Sequence, residues 1–178
     1  MATGYVFKST DYDAIGGIPI KYPNLIYADA ELWIELAKKS YLVVDPTPQF
    51  SFRIHQSVTK TSKDKILLDA FILFLDYLRE LKNVSKALEL TIHSNLRFFA
   101  ESTTKAMAHR LLRTPKSMRQ GLTIDNITNT IYKKCKEIEV SYLPFHIKSI
   151  RIAKWIETTP LLNYLFLLFK KVYKKPVL

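Results

Sequence analysis

The stretch Ala87-Leu88-Glu89-Leu90-Thr91-Ile92-His93 decides how this chain is read. Leu88, Leu90 and Ile92 alternate with Glu89, Thr91 and His93, the period-two pattern of a strand with one buried face, and Leu96 to Phe99 extend or bend it. The same alternation stands upstream over residues 49–57, where Phe50, Phe52 and Ile54 interleave with Ser51, Arg53 and His55. Between the two, the period changes. Thr61 and Asp64 have the spacing of a capping box, and Leu67, Leu68, Phe71, Ile72, Phe74, Leu75 and Leu78 make residues 66–81 a helix apolar on nearly every side. Such a helix is central to a core or buried at an interface. Strand, buried helix, strand predicts an α+β fold: a single domain with a small antiparallel sheet packed against that central helix and a C-terminal helix.

Outward from this unit the signals are local. Asp29 and Glu31 in front of Lys38 and Lys39 suit a helix dipole, so residues 29–39 read as a short helix ending before the Val43-Val44-Asp45-Pro46 turn. Residues 1–24, with Gly16-Gly17, Pro19 and Pro23, read as an irregular or mobile arm, leaving 25–178 as the domain. Residues 102–113 have helical character up to Thr114-Pro115, where the proline restricts its predecessor. Ile124, Ile127 and Ile131 stand at helical spacing, Ile138, Val140 and Tyr142 at strand spacing, and residues 145–156 fit either. Thr159 as N-cap and Pro160 at the first position open a last helix over 161–175.

A chain of 178 residues that is 48% hydrophobic has the size and apolar content of one domain. A single cysteine, Cys135, favours a reducing compartment, and neither a signal peptide nor a spanning segment is expected. The net charge of +11 is lopsided: residues 1–100 hold 12 Lys and Arg against 11 Asp and Glu, whereas residues 101–178 hold 15 against 5. That bias predicts an anionic partner, nucleic acid or acidic lipid.

Catalytic patterns are not found. With glycine only at 4, 16, 17 and 121, neither a dinucleotide fingerprint nor a P-loop can be assembled. His55, His93, His109 and His146 are widely separated, Cys135 sits on a lysine-rich helix, and Asp11/Asp13 and Glu137/Glu139 read as charged surface. The expectation is a protein without a cofactor that is not an enzyme.

Three basic clusters remain. The first is Lys60, Lys63 and Lys65 at the turn into the apolar helix. The second is Lys105, Arg110, Arg113, Lys116 and Arg119, with His109 among them; Arg and Lys mixed in this way suit phosphate contacts without base readout. The third is Lys170, Lys171, Lys174 and Lys175 behind Leu161, Leu162, Leu165, Phe166, Leu168 and Phe169. An apolar helix followed by lysines can lie in an anionic bilayer interface, and it can equally dock on its own core.

The run from Asp45-Pro46 through residues 49–57, the Thr61-Ser62-Lys63-Asp64 turn, the helix to Leu81 and residues 87–99 resembles, in its pattern of elements, the rhabdovirus matrix proteins, particularly the shorter ones of plant-infecting members. The resemblance covers roughly a third of the chain. It implies a cytoplasmic, peripheral-membrane and virion protein that binds viral ribonucleocapsid, anionic membrane and copies of itself during assembly and budding. Tyr22-Pro23-Asn24-Leu25 resembles a YPxL budding motif, which implies host sorting machinery as a partner through Tyr22, Pro23 and Leu25. The chain departs from the animal-virus pattern in having no PPxY or PTAP and no lysine-dense N-terminal arm. The competing reading is a viral movement or accessory protein that coats single-stranded RNA, with Phe50, Phe52, Phe98 and Phe99 as stacking platforms.

Overall fold

The computed structural model describes residues 6–39, 43 and 63–172, and these residues are helical and irregular with no strand among them. The helices are α1 (Ser9–Ala14), α2 (Ala28–Lys39), α3 (Asp64–Lys82), α4 (Lys86–Arg113), α5 (Ile124–Glu137), α6 (Lys148–Thr158) and α7 (Pro160–Val172), with short 3-10 turns at Pro23–Leu25, Lys116–Met118 and Pro144–His146. The α+β expectation is therefore overturned: the described residues form an all-helical fold with no sheet. The strand expected over residues 49–57 and the capping Thr61 lie outside the described residues.

The decisive difference from the strand pattern is at residues 87–99, which belong to α4, a helix of 28 residues about 42 Å long. Leu88 and Ile92 are four apart, a spacing that a strand and a helix share. Only Leu90 separates the two readings, and it is 61% exposed. The buried row continues through Ile92, Leu96, Ala100, Thr104, Met107, Ala108, Leu111 and Leu112, the three-and-four spacing of one helical stripe. Ser85 caps the start, its Oγ accepting from the Leu88 N–H at 3.3 Å, and the helix ends before Pro115 as the sequence predicts.

The chain divides into two compact units, Met1–Tyr77 and Leu78–Leu178, with α3 running through the division. In the first unit α1 and α2 pack together, Phe7 stacking on Tyr12 and meeting Trp33 edge-on. Tyr27 has a left-handed backbone (φ 72°), a conformation costly for an aromatic residue. Its ring is held against Phe71 and Phe74, with centroids 5.6 and 5.2 Å away. Tyr77 donates to Glu35 Oε1 at 2.7 Å. Burial works to raise the Glu35 carboxyl, but bonds from Lys38 and Tyr77 outweigh it and hold the group below its usual range.

In the second unit α5 and α6 pack on α4. Thr123 and Asn126 form a reciprocal capping box at the start of α5, and Ile124, Ile127, Thr128, Ile131 and Cys135 are its buried stripe. The strand spacing of Ile138, Val140 and Tyr142 also needs correction: these residues form no strand. Glu139 takes a left-handed turn (φ 64°) after α5, and the Val140 N–H donates to the Cys135 carbonyl at 2.9 Å. Tyr142 then donates to Thr104 Oγ1 at 2.7 Å, tying this segment to α4.

Candidate functional site

The last two helices carry the most exposed apolar surface of the second unit. Thr159 precedes a proline and is thereby kept from helical geometry; α6 stops there, and Pro160 starts α7 at once. The two helices pack on one another. Along α7 the row Leu162, Phe166 and Lys170 is half-covered, and Phe166 meets His109 of α4 edge-on with centroids 6.0 Å apart. The other side is open: Leu161, Tyr164, Leu165, Leu168 and Phe169 are exposed, Leu161 by 67%. On α6, Ile152 and Trp155 are exposed as well, Trp155 by 63%. None of the residues of α7 whose burial is described is fully buried.

At the other end of α6 lies a cleft of about 420 Å³ lined by Arg97, Glu101 and Lys105 of α4, by Tyr142, and by His146, Lys148 and Ser149 where α6 begins. Arg97, Glu101 and Lys105 follow at i, i+4 and i+8, so one face of α4 presents all three. Glu101 is paired with Lys105. Among the described residues Arg97 and Lys148 have no ion-pair partner, and the N-cap of α6 is Ile147, which has no side-chain oxygen to offer the first N–H groups. Burial pushes the Tyr142 phenol well above its usual value, so it stays a neutral donor, its bond to Thr104 opposing only in part.

The residues expected to bind anions are scattered by this fold. Lys60, Lys174 and Lys175 lie outside the described residues. Lys63 is exposed ahead of α3, and Lys65 pairs with Asp69. Lys105 joins the cleft, Arg110 and Arg113 are half-buried in the last turn of α4, and Lys116 is exposed. Arg119 turns inward: it is 5% exposed and its guanidinium donates to Glu157 Oε1 at 2.9 Å and to the Thr114 carbonyl at 2.7 Å. Glu157 Oε2 accepts the Ile124 N–H at 2.9 Å, so the pair fastens the start of α5 to α6. Lys170 lies over the Phe166 ring at 5.9 Å, and Lys171 is exposed. Of the budding-motif residues, Tyr22 is buried with its hydroxyl on Glu31, Pro23 is half-buried and Leu25 is 48% exposed. Arg97 is hidden in the sequence because the alternation over 87–99 masks the i, i+4, i+8 row of α4, and His146 and Lys148 join that row only where the start of α6 comes up to α4.

Cys135 is buried, which pushes its thiol up to about 12 and leaves it protonated at neutral pH. Partial burial first, then the positive charges of Arg113 and Lys170, hold His109 below the ordinary imidazole value. Among the described residues no cluster of His, Cys, Asp and Glu could hold a metal ion, and no helix is long and apolar enough to cross a membrane. The sequence matches no protein-family model, no curated protein and no solved structure.

Proposed function

We propose that this protein is a non-enzymatic, matrix-like structural protein that lies on an anionic membrane surface, associates with itself and with viral ribonucleocapsid, and serves virion assembly. The observation that carries this reading is the outward apolar side of α6 and α7, with Trp155 and Tyr164 among its aliphatic residues and Lys170 and Lys171 at the end of α7. A helix of this kind gains by burying its apolar side at the headgroup boundary, while its lysines meet anionic lipid. The element pattern of residues 87–99 no longer supports the matrix-like reading, which rests instead on surface and charge.

Flotation with phosphatidylcholine vesicles and with vesicles enriched in phosphatidylserine tests it. The protein is expected to float with the anionic vesicles, less so at high salt, and a Trp155→Ser/Leu165→Ser variant is expected to stay at the bottom. Failure of the wild-type chain to float at low salt sinks the reading. One observation favours the competing single-stranded RNA reading: the Phe98 ring, 77% exposed on α4, offers a face on which a base can stack. Binding of RNA with no affinity for vesicles decides for that alternative.

A further inference from the structure

We propose that the cleft between α4 and the start of α6 binds the phosphorylated headgroup of a membrane lipid, one carrying phosphomonoesters such as a phosphorylated inositol. The inference deepens the membrane reading and rests on it, but it concerns different residues and a different chemistry.

The charge balance comes first. Arg97, Lys105 and Lys148 bring three positive charges to the cleft lining and Glu101 one negative charge. Glu101 is spent on Lys105, so Arg97 and Lys148 face the cavity without an ion-pair partner among the described residues. Converging cations repel one another, and the arrangement is relieved by an anion of more than one charge. Arg97 offers a planar fork that fits two phosphate oxygens, and Lys148 a mobile point charge. Ser149 and His146 add polar groups on the same wall, and the uncapped first turn of α6 adds partial positive charge. A cavity of about 420 Å³ is the size of a small ligand rather than of a single ion.

Position then selects a lipid. Lys148, Ile152 and Trp155 stand at i, i+4 and i+7 on α6, so the cation at the cleft shares a helix face with the two exposed apolar residues. A headgroup in the cleft places its acyl chains toward the membrane that Ile152, Trp155 and α7 would enter. A free phosphate compound would use the charges and leave that apolar row without a role.

The test compares vesicles containing a phosphatidylinositol bisphosphate with phosphatidylserine vesicles of matched charge, each titrated with the full chain. The expected result is about tenfold tighter binding to the phosphoinositide vesicles, since charge-assisted bidentate contacts exceed diffuse attraction. Arg97→Gln/Lys148→Gln removes that preference and leaves phosphatidylserine binding little changed, whereas Trp155→Ser/Leu165→Ser lowers binding to both. Lys148→Glu, with an unchanged far-ultraviolet spectrum, provides a second variant in case the double one fails to fold. Equal affinity of the wild-type chain for the two vesicle types overturns the headgroup site while leaving the membrane reading intact. Soluble inositol trisphosphate binding without vesicle preference, or oligouridine displaced from the cleft by the same substitutions, also overturns it and assigns the cleft to a free phosphate compound or to an RNA backbone.

Discussion

Helices α5 and α7 belong to the same unit and are nearly equal in length, 14 and 13 residues, yet they treat their apolar side chains in opposite ways. The sequence of α5 is mostly polar, and its few apolar residues are almost all buried: Ile124, Ile127, Ile131 and Cys135 are at most 1% exposed. The sequence of α7 is mostly apolar, and Leu161, Tyr164, Leu165, Leu168 and Phe169 remain in solvent. Apolar content measures how much a helix gains from being covered; it does not provide the cover. A narrow stripe such as that of α5 is satisfied by one neighbouring surface, whereas α7 is apolar nearly all round and α6 and α4 reach only one side of it. The remaining side is the kind of surface that marks an interaction.

The largest expected effect strikes the anchor of α5. Arg119→Ala leaves Glu157 charged, mostly buried and without its cation, at a cost of about 3–5 kcal/mol in urea unfolding. A loss no greater than that of Lys116→Gln, an exposed control within about 0.5 kcal/mol of wild type, would show that the pair does not hold α5 in place.

The next comparison sets the two helices against each other directly. Ile131→Ala empties a fully buried site on α5 and is expected to cost about 2–5 kcal/mol. Leu165→Ala removes a side chain that is half in water and is expected to stay within about 0.5 kcal/mol. Equal losses would mean that the outer side of α7 is covered in solution, by a second copy of the chain if the Leu165→Ala loss fades on dilution while that of Ile131→Ala stays.

The smallest effect concerns pH where α7 meets α4. His109 has a folded value below that of the unfolded chain, so the unfolded state binds more protons as pH falls. Its contribution to stability is full above about pH 6.5 and is lost as the pH drops through the lowered folded value. Thermal melts should therefore decline over that acidic range in the wild type more than in His109→Gln, and parallel curves would remove the imidazole from this contact.

Parts of this fold were legible in the sequence and parts were not. The helices at 28–39, 64–82, 124–137 and 160–172 follow from charge order, apolar content, isoleucine spacing and a Thr-Pro start, all of them signals local to a few turns. Residues 87–99 are ambiguous in sequence because Leu88 and Ile92 satisfy both periods and Leu90 completes the strand pattern over so short a window; only the downstream row to Leu112 favours the helix. The charge excess of residues 101–178 was visible, but which cations face outward was not. Arg119 lies in the same basic run as Lys116, and one is buried on Glu157 while the other meets solvent.

By itself, then, the sequence determined a strongly basic second half, an apolar C-terminal helix with lysines at its end, and most helix boundaries. These depend on residues close together along the chain, where sterics and backbone hydrogen bonding act. Tertiary structure alone decided that α7 keeps its apolar side in solvent, that Arg119 is an internal tie, and that Arg97 and Lys148, 51 positions apart, share one cleft. Burial and charge pairing are properties of the surfaces that helices bring together, and no spacing along the chain specifies which surfaces those are.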